Sequence, residues 1–100
     1  MKAMISQSML GLSDKVIKNE RNRVINYLET LGYDVVDSFI EDEPPKEIAG
    51  HNITLWYLGE SLKRLALCDT LYCCSGWEQT RGCILEHDAA KAYDLNILYE

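Results

Sequence analysis

The sequence predicts an α/β fold: a four-stranded parallel sheet in the order 2-1-3-4, with helices on both faces. Three observations carry that prediction. Short apolar runs alternate with longer amphipathic stretches along the chain. Alternation of this kind implies parallel strands joined by right-handed helical crossovers. The chain has 100 residues, which suits one domain spanning residues 1–100. A glycine-bearing turn at Ser75 and Gly76 joins the third apolar run to the third helical stretch. Polar groups then lie at the sheet edge where open α/β sheets bind ligands. The layout is a three-layer, Rossmann-like sandwich of the flavodoxin kind, with its switch point between the first and third strands.

Each element has its own signal. Ala3 to Gln7 reads as the first strand and runs into a polar loop, residues 6–13. Ser13 is placed as an N-cap with Asp14 in the first helical turn. That helix runs to about Leu31, with Ile17, Val24, Leu28 and Leu31 on one stripe and Val16 and Ile25 beside it. Its other face is charged (Lys15, Lys18, Glu20, Arg21, Arg23), and Gly32 is positioned as its stop. Residues 33–40 read as the second strand. The acidic segment 41–52 contains Pro44 and Pro45, which forbid a regular helix there; it reads as a solvated loop or as a lid. A second helix covers Ile53 to about Leu67, with Leu55, Leu58, Leu62 and Leu65 as its buried stripe. Gly59 within it, unfavourable by about 1 kcal/mol against Ala, suggests close packing on a neighbour. Asp69 to Cys74 is the third strand. The third helix begins at Thr80 or Arg81, with Leu85, Ala89 and Ala92 on one face, and the last strand starts at Asn96.

Composition narrows the function. Net charge is −6 and 47% of residues are apolar, so the chain is expected to fold and lacks the basic balance of a nucleic-acid binder. No apolar run approaches the roughly 20 residues that span a bilayer, and the N-terminus does not resemble a signal peptide. The reading is cytoplasmic, with neither a membrane nor a nucleic-acid polymer as partner. Cys68, Cys73, Cys74 and Cys83 lack the paired spacing of a zinc site. They read as buried thiols, with Cys73 and Cys74 on opposite faces of a strand. A core this small makes a homo-oligomer a reasonable way to cover more apolar surface.

The loops after the first three strands should line one crevice. They offer Ser6, Gln7, Ser8 and Gly11, then Asp37 and Ser38, then Ser75, Gly76, Trp77 and Glu78. The first group is either a plain turn or an anion cradle of backbone amides, and it is not a G-x-G-x-x-G fingerprint. Asp37 is a turn or cap residue, or a ligand for ribose hydroxyls. Trp77 is core, or a platform for a base. Glu86 is an ion-paired surface carboxylate, or the acid aimed from the third helix at a ligand. His87 and Asp88 read as solvent-facing, and His51 sits in a loop. No Ser-His-Asp constellation is present.

Three stretches carry a resemblance: Met4-Ile-Ser-Gln-Ser-Met-Leu-Gly, Trp56-Tyr-Leu-Gly-Glu-Ser-Leu, and Gly76-Trp-Glu-Gln-Thr-Arg-Gly-Cys-Ile-Leu-Glu. They resemble a bacterial and phage family known only as a domain of unknown function. That family looks like a compact member of the nucleoside 2-deoxyribosyltransferase-like superfamily, whose oligomeric members cleave the bond between a base and deoxyribose. The resemblance implies a glutamate nucleophile that forms a covalent glycosyl intermediate. Glu86 matches that glutamate, with Gly82 four residues before it, and Ser8 falls where the superfamily binds sugar or phosphate. The departures are specific. The superfamily's first-strand tyrosine aligns with Met4 and its first-loop arginine with Leu10. Its helix aspartate aligns with Ser61, with Glu60 adjacent as a substitute acid. The superfamily segment that follows the last strand and reaches into a neighbour's site has no counterpart. No cofactor and no metal is implied. Three readings follow: an N-glycosidase or transferase acting on a nucleoside or its monophosphate, a binder that holds a nucleotide or nucleotide-derived signal without turnover, or a structural oligomeric module.

Overall fold

A computed structural model describes residues 1–9, 11–37 and 43–100. Four strands and three α-helices alternate: β1 (Lys2–Ser6), α1 (Asp14–Thr30), β2 (Asp34–Val36), α2 (Ile53–Leu65), β3 (Thr70–Cys73), α3 (Arg81–Ala92) and β4 (Asn96–Tyr99). Short 3-10 turns at Lys46–Ile48 and Trp77–Gln79 precede α2 and α3. The sheet is wholly parallel in the order β2-β1-β3-β4, as the sequence predicts. Met4 sits at its centre, in register with Val36 on one side and Leu71 on the other.

The two faces are covered unequally. Ala3, Ile5, Tyr72 and Cys74 meet Val24 and Leu28 of α1. Met4, Leu71 and Cys73 meet Leu65 of α2 and Ala90 of α3. β1 and β3 are thus buried on both faces, which is why they read as near-continuous apolar runs. The neighbours Cys73 and Cys74 fall in opposite clusters, and all four cysteines are buried free thiols. Among the described residues no helix is long and apolar enough to cross a membrane.

Helix ends follow their local chemistry. Ser13 Oγ accepts a hydrogen bond from the Val16 amide, and Asn52 Oδ1 accepts one from the Leu55 amide. α1 closes with Gly32 in the left-handed region, φ 90°, while Tyr33 N–H donates to Leu28 O and Gly32 N–H to Glu29 O. That pair of hydrogen bonds is the Schellman arrangement, which favours glycine at the left-handed position.

Several expected faces turn out rotated or shortened. Leu31 is 50% exposed because it lies at the cap, past the last turn that reaches the sheet. Leu55 is 60% exposed. Only the second half of α2, at Leu62 and Leu65, packs on the sheet, and its first half stands away. Gly59 is exposed, and a Cβ there would meet nothing within 4 Å, so it serves no close packing. α2 stops at Leu65, short of Leu67, and β2 at Val36. Residues 38–42, the expected end of that strand and start of the lid segment, lie outside the described residues. On α3 the buried residues are Cys83, Glu86 and Ala90, whereas Leu85 and Ala92 are exposed. The expected stripe followed the apolar letters; the actual one contains a glutamate.

Truncating Leu28 to Ala should destabilise the protein by about 2–5 kcal/mol, because its side chain is fully buried between α1 and the sheet. Leu31→Ala should stay within about 0.5 kcal/mol. Urea denaturation of both variants checks the assignment of the buried stripe; equal losses would contradict it.

Candidate functional site

α1 leaves β1 on one face of the sheet and α3 leaves β3 on the other. A crevice opens between the carboxyl ends of β1 and β3, as it does at the switch point of doubly wound sheets. Ser6, the last residue of β1, is buried beneath it. Ser6 Oγ donates to Glu86 Oε1 at 2.9 Å, across 80 residues of sequence. Glu86 is only 9% exposed. Burial pushes its pKa above the ordinary glutamate range, and the bond from Ser6 partly offsets the shift by favouring the carboxylate.

Two lobes of open space meet at Glu86. One, about 630 Å³, lies between the first half of α2 and the start of α3, and is walled by Leu55, Tyr57, Leu58, Arg81 and Leu85. The other, about 460 Å³, runs toward β1 and is lined by Gln7, Met9, Arg21 and Cys83. Ser61, Thr80, Gly82 and Glu86 line both. These volumes are in the range of small-ligand sites. Gly82 and Glu86, one helical turn apart, share the groove-facing side of α3. Burial also raises the thiol pKa of Cys83 and pushes that of Cys73 up to about 12, so both remain neutral thiols near the carboxylate.

The loop after β1 is tied down rather than free. Ser8 Oγ and Thr80 Oγ1 lie 2.5 Å apart, joining that loop to the start of α3. Gln7 Nε2 donates to Ile17 O, while its buried Oε1 has no partner among the described residues. Thr80 is the N-cap of α3, yet its side chain makes no capping bond, since its hydroxyl is engaged with Ser8. Among the described residues no side chain caps the first-turn amides of α3, which lie beside the groove in a setting that favours an anion. Gly11, with φ 75°, serves a turn and lines neither lobe. Leu10 and Ser38 lie outside the described residues.

Several expected site residues sit elsewhere. Glu60 does not line either lobe; its carboxylate pairs with Lys63 at 2.9 Å and reaches Arg64 at 3.8 Å, one helical turn along α2. Its neighbour Ser61 takes the groove-facing position. Asp37 is an exposed carboxylate paired with Arg21. His87, expected in solvent, is stacked on Trp77 with ring centroids 4.2 Å apart, and its Nε2 lies 2.7 Å from Tyr99 Oη. Ser75, Gly76, Trp77 and Glu78 line a separate groove with His87, beyond β3 and β4. The single crevice expected from the sequence is two.

The sequence places Arg21 on the charged face of α1, but its side chain is 11% exposed and lines the lobe beside Glu86. A signal was present: Ile17, Arg21, Val24 and Leu28 are spaced as one helical stripe, with the cation inside it. Arg81, read only as a helix start, lines the other lobe.

The raised pKa of Glu86 has a definite sign in stability. The folded protein holds that proton more tightly than the unfolded chain. The stabilisation is complete below the unfolded glutamate pKa and is lost as pH rises through the folded one. Glu86→Gln, neutral at all pH, should match the wild type at acid pH and become the more stable of the two as pH rises. Paired melting curves from pH 4 to 9 test this; a wild type that gains on the variant with rising pH would refute it.

A family model described as "Domain of unknown function (DUF4406)" matches residues 1–99, nearly the whole chain. No curated protein and no solved structure gives a significant match.

Proposed function

We propose, for a chain that belongs to the DUF4406 family, that the Glu86 groove binds a nucleoside or nucleotide and acts on its N-glycosidic bond. The observation that carries this is a carboxylate buried at a sheet switch point, fixed by one serine, and still lining an open groove. An acid perturbed by burial and lying in a cleft is a candidate for function. Ser6 engages Oε1, and no hydrogen bond among the described residues engages Oε2. In this reading the carboxylate attacks the anomeric carbon as the bond to the base breaks. The base leaves with the electron pair and takes up a proton, and water or a second base then resolves the glycosyl ester.

The rest of the groove suits such a ligand. Leu55, Tyr57, Leu58 and Leu85 offer an apolar wall for a base. The uncapped start of α3, with Arg21 in one lobe and Arg81 in the other, suits a phosphate. A second reading, binding without turnover, is favoured by one observation. Glu86 is the only carboxylate lining either lobe among the described residues. A leaving base finds no second acid there, since Glu60 is turned away.

Incubation with a panel of deoxynucleosides and their 5′-monophosphates separates the readings. Free base that disappears in Glu86→Gln supports turnover. No free base, with a melting temperature raised by a nucleotide, supports binding alone; saturation at about 100 times Kd would add about 2.7 kcal/mol. Neither outcome with any ligand would remove both. Arg21→Ala should weaken monophosphates by about tenfold, the loss of one charge-assisted contact, while leaving nucleosides little changed.

A further inference from the structure

The groove beyond β3 and β4 has the opposite character to the Glu86 lobes and shares no lining residue with them. It encloses about 480 Å³. Trp77 and His87 are stacked at 24° between planes. Tyr99 lies 5.9 and 5.8 Å from those two rings. Its hydroxyl meets His87 Nε2, so a ring that is 56% exposed is held in place.

Two carboxylates complete the lining, and no lysine or arginine lines the groove. Glu78 is exposed and enters no ion pair among the described residues. Glu100 accepts from the Ser75 amide at 2.8 Å and pairs with Arg23 from α1. The amide bond, then the arginine, hold its pKa below the ordinary range, so it stays ionised. A phosphorylated ligand would meet these acids unfavourably. A metal ion does not fit either. Among the described residues, no three histidine, cysteine or acidic side chains are grouped to hold one.

We infer that this groove is a second binding site, for a small organic cation of the alkylammonium or guanidinium class. The cationic head lies against the exposed ring of Tyr99 and within the field of Glu78 and Glu100. An aromatic face and a nearby carboxylate are the two features that recognise such a head. Preorganisation of Tyr99 by His87 lowers the ordering penalty on binding. The inference does not depend on the chemistry at Glu86.

Titration with putrescine, methylguanidine and tetramethylammonium, followed by amide chemical shifts at constant ionic strength, tests it. Saturable shifts are expected at residues 75–78 and at Tyr99, with none at Ser6, Thr80 or Gly82. Glu78→Gln and Tyr99→Leu, both at exposed positions, should each weaken binding about three- to tenfold. Three results would overturn the inference: no saturation at millimolar concentrations, equal shifts with sodium chloride, or undiminished affinity in both variants. Shifts confined to the Glu86 lobes would overturn it as well.

Discussion

One hydrogen bond organises the site: Ser6 Oγ to Glu86 Oε1, buried between the first strand and the last helix. A glutamate on the sheet-facing side of a helix is unfavourable unless something satisfies it. The serine does so, and it can because β1 is one of the two inner strands and its carboxyl end meets α3. The face that α3 turns to the sheet departs in part from the one its apolar letters favour, although Ala89 still packs there. Cys83, Glu86 and Ala90 face inward, and Leu85 is left at the groove.

Much of the fold was legible because the strands and helices differ in length and periodicity. Parallel order, the caps at Ser13 and Gly32, and the opposite facing of Cys73 and Cys74 all follow from local pattern and alternation. The exposed ends of amphipathic stripes were not legible. Leu31 and Leu55 keep the period, yet the period cannot say where a helix parts from the sheet. The sequence places Ser6 and Glu86 at one sheet edge, and the topology brings these two into contact, while Ser8 meets Thr80 instead. The site was not legible at Glu60, whose nearest cations, Lys63 and Arg64, lie on its own helix. Nor was it legible at Arg21, because a charge on a helix ordinarily faces solvent. Its spacing with Ile17 and Val24 was the information that outranked that habit.

α3 separates two grooves of contrasting chemistry. On one flank lie an uncapped helix start, two arginines and a single buried acid. On the other lie an aromatic cluster and the acids Glu78 and Glu100. Glu86 and His87 are adjacent in sequence and face one groove each, so a few residues of helix divide the molecule's chemistry. The net charge of −6 describes neither groove. A buried acid also tends to be retained for function at the expense of stability, which is the relation expected if Glu86 meets a ligand.

The Glu86 carboxylate is both buried and turned to the groove. Carbon-13 NMR of the Glu86 side-chain carboxyl, titrated with acid in the free protein and again with a deoxynucleoside 5′-monophosphate bound, tests this directly. A midpoint above the ordinary glutamate range that moves when the nucleotide binds is the predicted result. An ordinary midpoint, indifferent to every nucleotide tried, would contradict it.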